Sequence, residues 1–428
     1  MIRIVKENEN SQVFTQLIKR TQFDVVSINK TVEEVLAQVK NYGDEALKKY
    51  TLAFDGARLD GFKVTDEEIS EAFNSIDPML LKNLNQAKDN IEAYHQKQVI
   101  GELSLEKDGI SIKQRIRPIE SVGIYVPGGT ASYPSTVLMN AIPAKLAGVK
   151  SIVMVTPPNR EGKIRDVILV AAKLAGVDQI YKIGGAQAIG ALTYGTKQIP
   201  KVNKIVGPGN LYVTMAKKLV SGYVGIDLIA GPSEVLIIAD ENANPDEVAS
   251  DMLAQAEHDP YAAALLLTPS EKLAQAVDQA IEFQIQTLTR ASIINESITQ
   301  FGAIILTESI ISACQLSNEI APEHLELMVD NPETYLDLID NAGSIFLGRY
   351  TPEPVGDYIA GPNHTLPTSG TAKFASPLGV YDFIKRSSVV YYSKEAFQQD
   401  AEAIIRLAES EGLTAHANAI KIRLKKGS

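Results

Sequence analysis

At 428 residues, 45% hydrophobic and 22% charged, the chain has the composition of a globular protein and the length of more than one core. Its formal charge of −11 argues against general nucleic-acid binding, which needs clustered Lys and Arg. A single cysteine, Cys314, excludes an intramolecular disulfide and any multi-cysteine metal site.

The N-terminus, MIRIVKENEN, has no charged region followed by an apolar stretch, so no secretory signal is read and the expected location is the cytoplasm. No apolar run approaches the roughly 18–20 residues that span a membrane, so no membrane partner is expected. Residues 1–110 read mainly as helix. In TVEEVLAQVKNYGDEALKKY, Val32, Val35, Leu36 and Val39 recur at helical spacing, with Thr31 as the expected cap and Glu34 three residues on. TDEEISEAF, from Thr65, repeats that start signal, and His95 in EAYHQKQ reads as a surface residue. Asp108-Gly109 inside ELSLEKDGISIKQRIR predicts a hairpin.

From Ser121 the rhythm becomes strand–helix. SVGIYVP, KSIVMVTPP, QIYKIGG and KVNKIVGPG are strands with Val and Ile on consecutive positions, each followed by a helical segment. Such runs indicate buried parallel strands in βαβ units. A second run begins at SEVLIIAD (233–240) and continues through a helix at 245–257, AAALLLTPS, EKLAQAVDQAIEF and GAIILTES. The Gly/Pro-rich stretch 348–379 is too long for an ordinary connector and reads as a functional loop. A strand-like segment and helices close the chain. Its basic run, Lys421 to Lys426, reads as a solvated helix end.

Three glycine loops follow strands: Pro127-Gly128-Gly129, Gly184-Gly185-Ala186-Gln187 and Gly207-Pro208-Gly209-Asn210. Helix N-termini at such loops offer backbone N–H groups to phosphates. None is a G-x-G-x-x-G, because Tyr212 stands where the third glycine belongs, and each is equally a tight turn. Three on successive units shift the balance somewhat toward a nucleotide. Four of the five histidines fall after residue 257, each near a carboxylate or amide. Gln255 and His258 share a predicted helix face, Glu323 and His324 are adjacent, Asp357 and His364 flank the glycine-rich loop, and Glu411 and His416 bracket the start of the last helix, with Thr414 as its cap. Oxygen and imidazole ligands suit zinc, but their scatter allows a metal site without establishing one. Cys314 reads as an inert core residue rather than a nucleophile.

The strings IYVPGGTASYPSTVLMNAIPAKLAGV, KIGGAQAIGALTYGT, KIVGPGNLYVTMAKKLV, AGPSEVLIIAD, LAQAEHDP, APEHLEL, GDYIAGPNHTLPT and EGLTAHANAIKIR resemble the histidinol dehydrogenase family, in order and over nearly the whole chain. The resemblance implies an α/β fold of two incomplete Rossmann-like, aldehyde-dehydrogenase-like domains with small terminal segments. By that pattern, residues 1–20 form an N-terminal segment, 21–120 with 235–378 a discontinuous first domain, 121–234 an NAD-binding second domain and 379–428 a dimer arm. It implies one Zn2+ per subunit on Gln255, His258, Asp357 and His416, with His416 from the partner of a homodimer. It places Glu323 and His324 as the acid–base pair. Substrate contacts would come from Ser233, His364 and Glu411 together with the metal ligands and His324. NAD contacts would come from Tyr125, Gln187 and Asn210. The implied reaction is the oxidation of L-histidinol through L-histidinal to L-histidine with two NAD, the last step of histidine biosynthesis. An aldehyde dehydrogenase using Cys314 would need no zinc, a metal hydrolase no NAD and a non-enzymatic binding protein neither.

Overall fold

A computed structural model describes residues 2–7, 13, 25–128 and 132–425. Most of the 1–20 segment, Gly129 of the first glycine loop and Lys426 of the basic tail lie outside the described residues. The chain forms two compact units: the part up to Gln98 with Ile119–Phe383, and Val99–Pro118 with the chain from Ile384 onward.

The first unit holds two parallel sheets. One has six strands in the order Arg3–Lys6, Ala303–Leu306, Ala263–Thr268, Glu234–Ala239, His324–Met328, Ser344–Leu347. The other has five, in the order Gln179–Lys182, Ser151–Thr156, Ser121–Tyr125, Lys204–Val206, Gly225–Ile226. In both, the first strand of the βα run is central, and later strands add on one side and then the other. The order therefore reverses beside Ser121–Tyr125 and beside Glu234–Ala239, as in doubly wound sheets.

Consecutive apolar residues form these strands because both faces are covered. In Glu234–Ala239, Val235 and Ile237 pack with Val248, Met252 and Leu266 on one face. Leu236 and Ile238 pack with Leu265, Ala313 and Cys314 on the other. The five-stranded sheet is sandwiched in the same way. Ile124, Ile152 and Met154 meet Ala72, Leu84 and Ile91 of helices Asp66–Ser75 and Pro78–Gln96. Val153 and Val155 meet Val32, Leu36 and Leu47 of helices Val25–Tyr42 and Asp44–Asp55.

One local expectation is met and two are not. Thr65 caps its helix, with Glu68 closing a capping box. Thr31 does not, because its helix begins upstream at Val25 and its hydroxyl donates to Ser27 O at 3.1 Å. His95 is fully buried rather than at the surface, its Nδ1 bonded to Ile91 O at 2.9 Å. The strand Arg3–Lys6, short and half polar, was not legible as one.

The second unit is an antiparallel sheet in the order Ile384–Tyr392, Ile110–Pro118, Leu103–Lys107, followed by helices Lys394–Ser410 and Thr414–Lys425. The predicted hairpin turns at Asp108 (φ 46°) and Gly109 (φ 83°), the positive pair that a two-residue turn needs. Among the described residues, no helix is long and apolar enough to cross a membrane.

Candidate active site

The polar cluster of the first unit forms where strands begin. Glu323 and His324 enter His324–Met328, Ser233 and Glu234 enter Glu234–Ala239, and Ser344 opens the neighbouring edge strand. Ligands of open α/β sheets usually sit at carboxyl ends, so this cluster lies at the end opposite to the usual one. Gln255 lies in the last turn of helix Pro245–Ala256 and is fully buried. His258 is not on that helix, as the spacing suggested. The helix stops at Ala256, and His258 sits in the following turn, its N–H donating to Gln255 O at 3.2 Å. The 348–379 loop brings in Glu353, at the start of the short helix Glu353–Val355, then Asp357 and His364.

His324 is buried, with Nδ1 3.1 Å from Glu234 O and 3.2 Å from Gln255 Oε1. Two acceptors there keep the proton on Nδ1 and leave a lone pair on Nε2, which has no partner among the described residues. Turning the Gln255 amide over brings its nitrogen 3.2 Å from Glu353 Oε2, 3.3 Å from Glu234 O and 3.2 Å from His324 Nδ1, and satisfies the amide better. In that orientation Nδ1 accepts and the proton sits on Nε2, so Nε2 can act as a base only when Gln255 turns its oxygen to the ring. Burial, reinforced by His258 and His364 against the opposing Asp357, pushes the His324 pKa down to about 4. A neutral imidazole with one open nitrogen is the form of a general base.

Asp357 Oδ1 lies 3.5 Å from His364 Nδ1. Burial pushes this carboxyl up, but its bond to His364 and the nearby His324 and His258 outweigh it and hold it below its ordinary value. His258 is accessible at the surface, yet the protein around its ring lowers its pKa by desolvation, with Asp357 opposing. Nitrogen and oxygen atoms of His258, Glu353 and Asp357 all lie within 4.8 Å of one another, a donor set that fits a zinc-like ion. A cavity of about 140 Å³ opens beside them, lined by His324, Phe346, Asp357, Asn363 and His364 among others. Thr136, on helix Pro134–Leu146, has its Oγ1 3.4 Å from His364 Nε2.

Sequence reasoning missed a row of acids behind these groups. Asp251 sits four residues before Gln255 on one helix, Glu326 two after His324 on one strand, and Glu353 four before Asp357. Each spacing puts an acid on the same side as its partner. Glu326 accepts from Glu353 N at 2.8 Å, and Glu323 Oε2 from Glu234 N at 3.0 Å. Burial first, then Asp251, pushes Glu326 up to about 8. Burial pushes Asp251 to about 6 and holds Glu353 well above its ordinary value. The alternation of HLELM was the one sequence signal that Glu326 faces inward with His324.

The five-stranded sheet carries its glycine loops at carboxyl ends, two of them beside the point where strand order reverses. Tyr125 ends its strand buried, its hydroxyl accepting from Gly185 N at 3.1 Å, and burial raises its pKa to about 12. Gln187, on helix Gly185–Tyr194, is fully buried, and neither amide atom has a partner among the described residues. Asn210 caps helix Leu211–Val220 by accepting from Val213 N at 3.1 Å. Gly207 has φ +105°, and a Cβ there would collide with the Tyr125 carbonyl. Glu411 and His416 belong to the second unit, where both are exposed.

The family model for histidinol dehydrogenase matches residues 18–424. A histidinol dehydrogenase of Clostridium acetobutylicum is 52% identical, covering 99% of each chain. One of Listeria innocua is 55% identical over 93% of each. The crystal structure of histidinol dehydrogenase from Elizabethkingia anophelis superposes with a TM-score of 0.89 at 44% identity, covering 93% of this chain and 92% of that one.

Proposed function

Because the chain belongs to the histidinol dehydrogenase family of oxidoreductases, we propose that it oxidises L-histidinol through L-histidinal to L-histidine, the last step of histidine biosynthesis, using two NAD and one zinc per subunit. The observation that carries this reading is His324: buried, anchored at Nδ1, open at Nε2 and beside the His258–Asp357 donor set. Gln255, His258 and Asp357 would hold the ion, with His416 of the partner subunit. When bound, zinc supplies a template for the substrate's imidazole and amine, and NAD accepts hydride.

His324 Nε2 takes the alcohol proton as the carbinol carbon gives up hydride. Glu323 activates the water that hydrates the aldehyde, and His324, once it has released the first proton to solvent, takes the proton of the hydrate as the second hydride leaves to the second NAD. Ser233, His364 and Glu411 surround the substrate. Residues 121–234 form the cofactor domain, with Tyr125, Gln187 and Asn210 in contact with NAD. Support comes from the loops at the switch point and from the unpartnered Gln187 amide, which a ligand would satisfy. The homodimer draws support from exposed apolar residues of the second unit, among them Leu103, Leu105, Val390 and Tyr391.

NADH release from L-histidinol, before and after chelation and zinc restoration, tests the whole reading. Two NADH per substrate, lost on chelation and regained with zinc, are expected. No NADH from the metal-replete protein would remove the substrate assignment.

A further inference from the structure

A buried ion pair grips the third glycine loop. Lys217, on helix Leu211–Val220, and Asp227, just past strand Gly225–Ile226, are 3% and 2% exposed at their side chains and pair directly. Lys217 Nζ donates to Gly207 O at 2.9 Å, while Asp227 Oδ2 accepts from Gly207 N at 2.7 Å. Both polar groups of one residue are thus held by opposite charges, and charge-assisted bonds are the stronger kind. The grip falls on a residue held at φ +105° against the Tyr125 carbonyl. Beyond it, a Cβ on Gly209 would touch the Tyr125 ring, whose hydroxyl accepts from the Gly185 loop. Tyr125 therefore sits between two loops, and the ion pair fixes the distance of one of them. A buried pair is poor value for stability alone, since well-packed apolar residues often do as well.

We propose that Lys217 and Asp227 are positioning residues for the dinucleotide: they fix the Gly207–Asn210 loop against Tyr125 so that cofactor, and not substrate, affinity depends on them. The inference rests on the NAD reading above. The parent protein, Lys217→Met, Asp227→Asn and the double variant are each titrated with NADH, followed by NADH fluorescence, and with L-histidinol by calorimetry, all zinc-loaded. The chain has no tryptophan to obscure the NADH signal. Lys217→Met should weaken NADH binding at least tenfold and leave histidinol binding within twofold. Asp227→Asn keeps an oxygen acceptor for Gly207, so the double variant should regain part of the melting temperature lost by Lys217→Met. It should keep the weak NADH binding, because the Gly207 carbonyl still lacks its donor. Parent-like NADH binding in both Lys217 variants overturns the inference, as does equal weakening toward both ligands. A parent protein that binds no NADH overturns the cofactor reading itself, and the inference with it.

Discussion

At the scale of single residues, burial separates groups that the sequence made look alike. Cys314 is fully buried on helix Ile310–Ile320, packed against Leu236 and Leu265, and burial raises its thiol pKa. No thiolate is available there for covalent aldehyde chemistry. Cys314→Ala should keep full NADH production and lose about 1 kcal/mol of stability as a small cavity. A folded variant without turnover would reverse that view. Asp55 gives the opposite sign of effect. Burial pushes it from 3.8 up to about 6, and its Oδ2 has no partner among the described residues. Between those values the native state holds more protons than the unfolded chain, so stability falls as pH rises through that window. Asp55→Asn should melt higher than the parent at neutral pH, by on the order of 1–2 kcal/mol after screening, and converge with it near pH 4. Equal melting temperatures at neutral pH would show that Asp55 has no such penalty.

At the scale of elements, Thr31 and Thr65 offer a paired comparison. Both precede acidic, amphipathic helices by sequence, but only Thr65 caps. Thr65→Ala should cost about 1 kcal/mol and Thr31→Ala less than about 0.5, read from denaturant midpoints. The βα alternation was legible because unbroken runs such as VLII and LLL leave only a doubly covered strand as their home. The residues that line the site were legible as residue types: His324, Asp357 and His364 meet at one cavity. What stayed hidden was burial of charge. Glu326, Glu353, Lys217 and Asp227 look like solvent-facing residues until the partners that hold them are known. His95 misled for the same reason, its polar neighbours being exposed while its own ring points into the core. His258 misled through a boundary, since the helix ends at Ala256, two residues before it.

At the scale of the whole molecule, the proposed zinc site draws its fourth ligand, His416, from a second copy. That has an arithmetical consequence. Neither His258→Ala nor His416→Ala alone should turn over. Refolded together in equal amounts, half the dimers are mixed, and each mixed dimer has one complete site of two. About a quarter of parent activity should return. No recovery from a confirmed mixture of dimers would place both histidines in one subunit's site.

The edge strand Arg3–Lys6 pairs with Ala303–Leu306, with Arg3 opposite Ala303. On the ribosome, Arg3–Lys6 must therefore wait for a strand emerging about 300 residues later, roughly 15 to 60 s at ordinary elongation rates. Ala303–Leu306 reaches its inner neighbour, Ala263–Thr268, much sooner. The nascent chain can thus assemble its five-stranded sheet while Arg3–Lys6 is still unpaired, and the six-stranded sheet gains both of its edges, Arg3–Lys6 and Ser344–Leu347, only after its central strands are made.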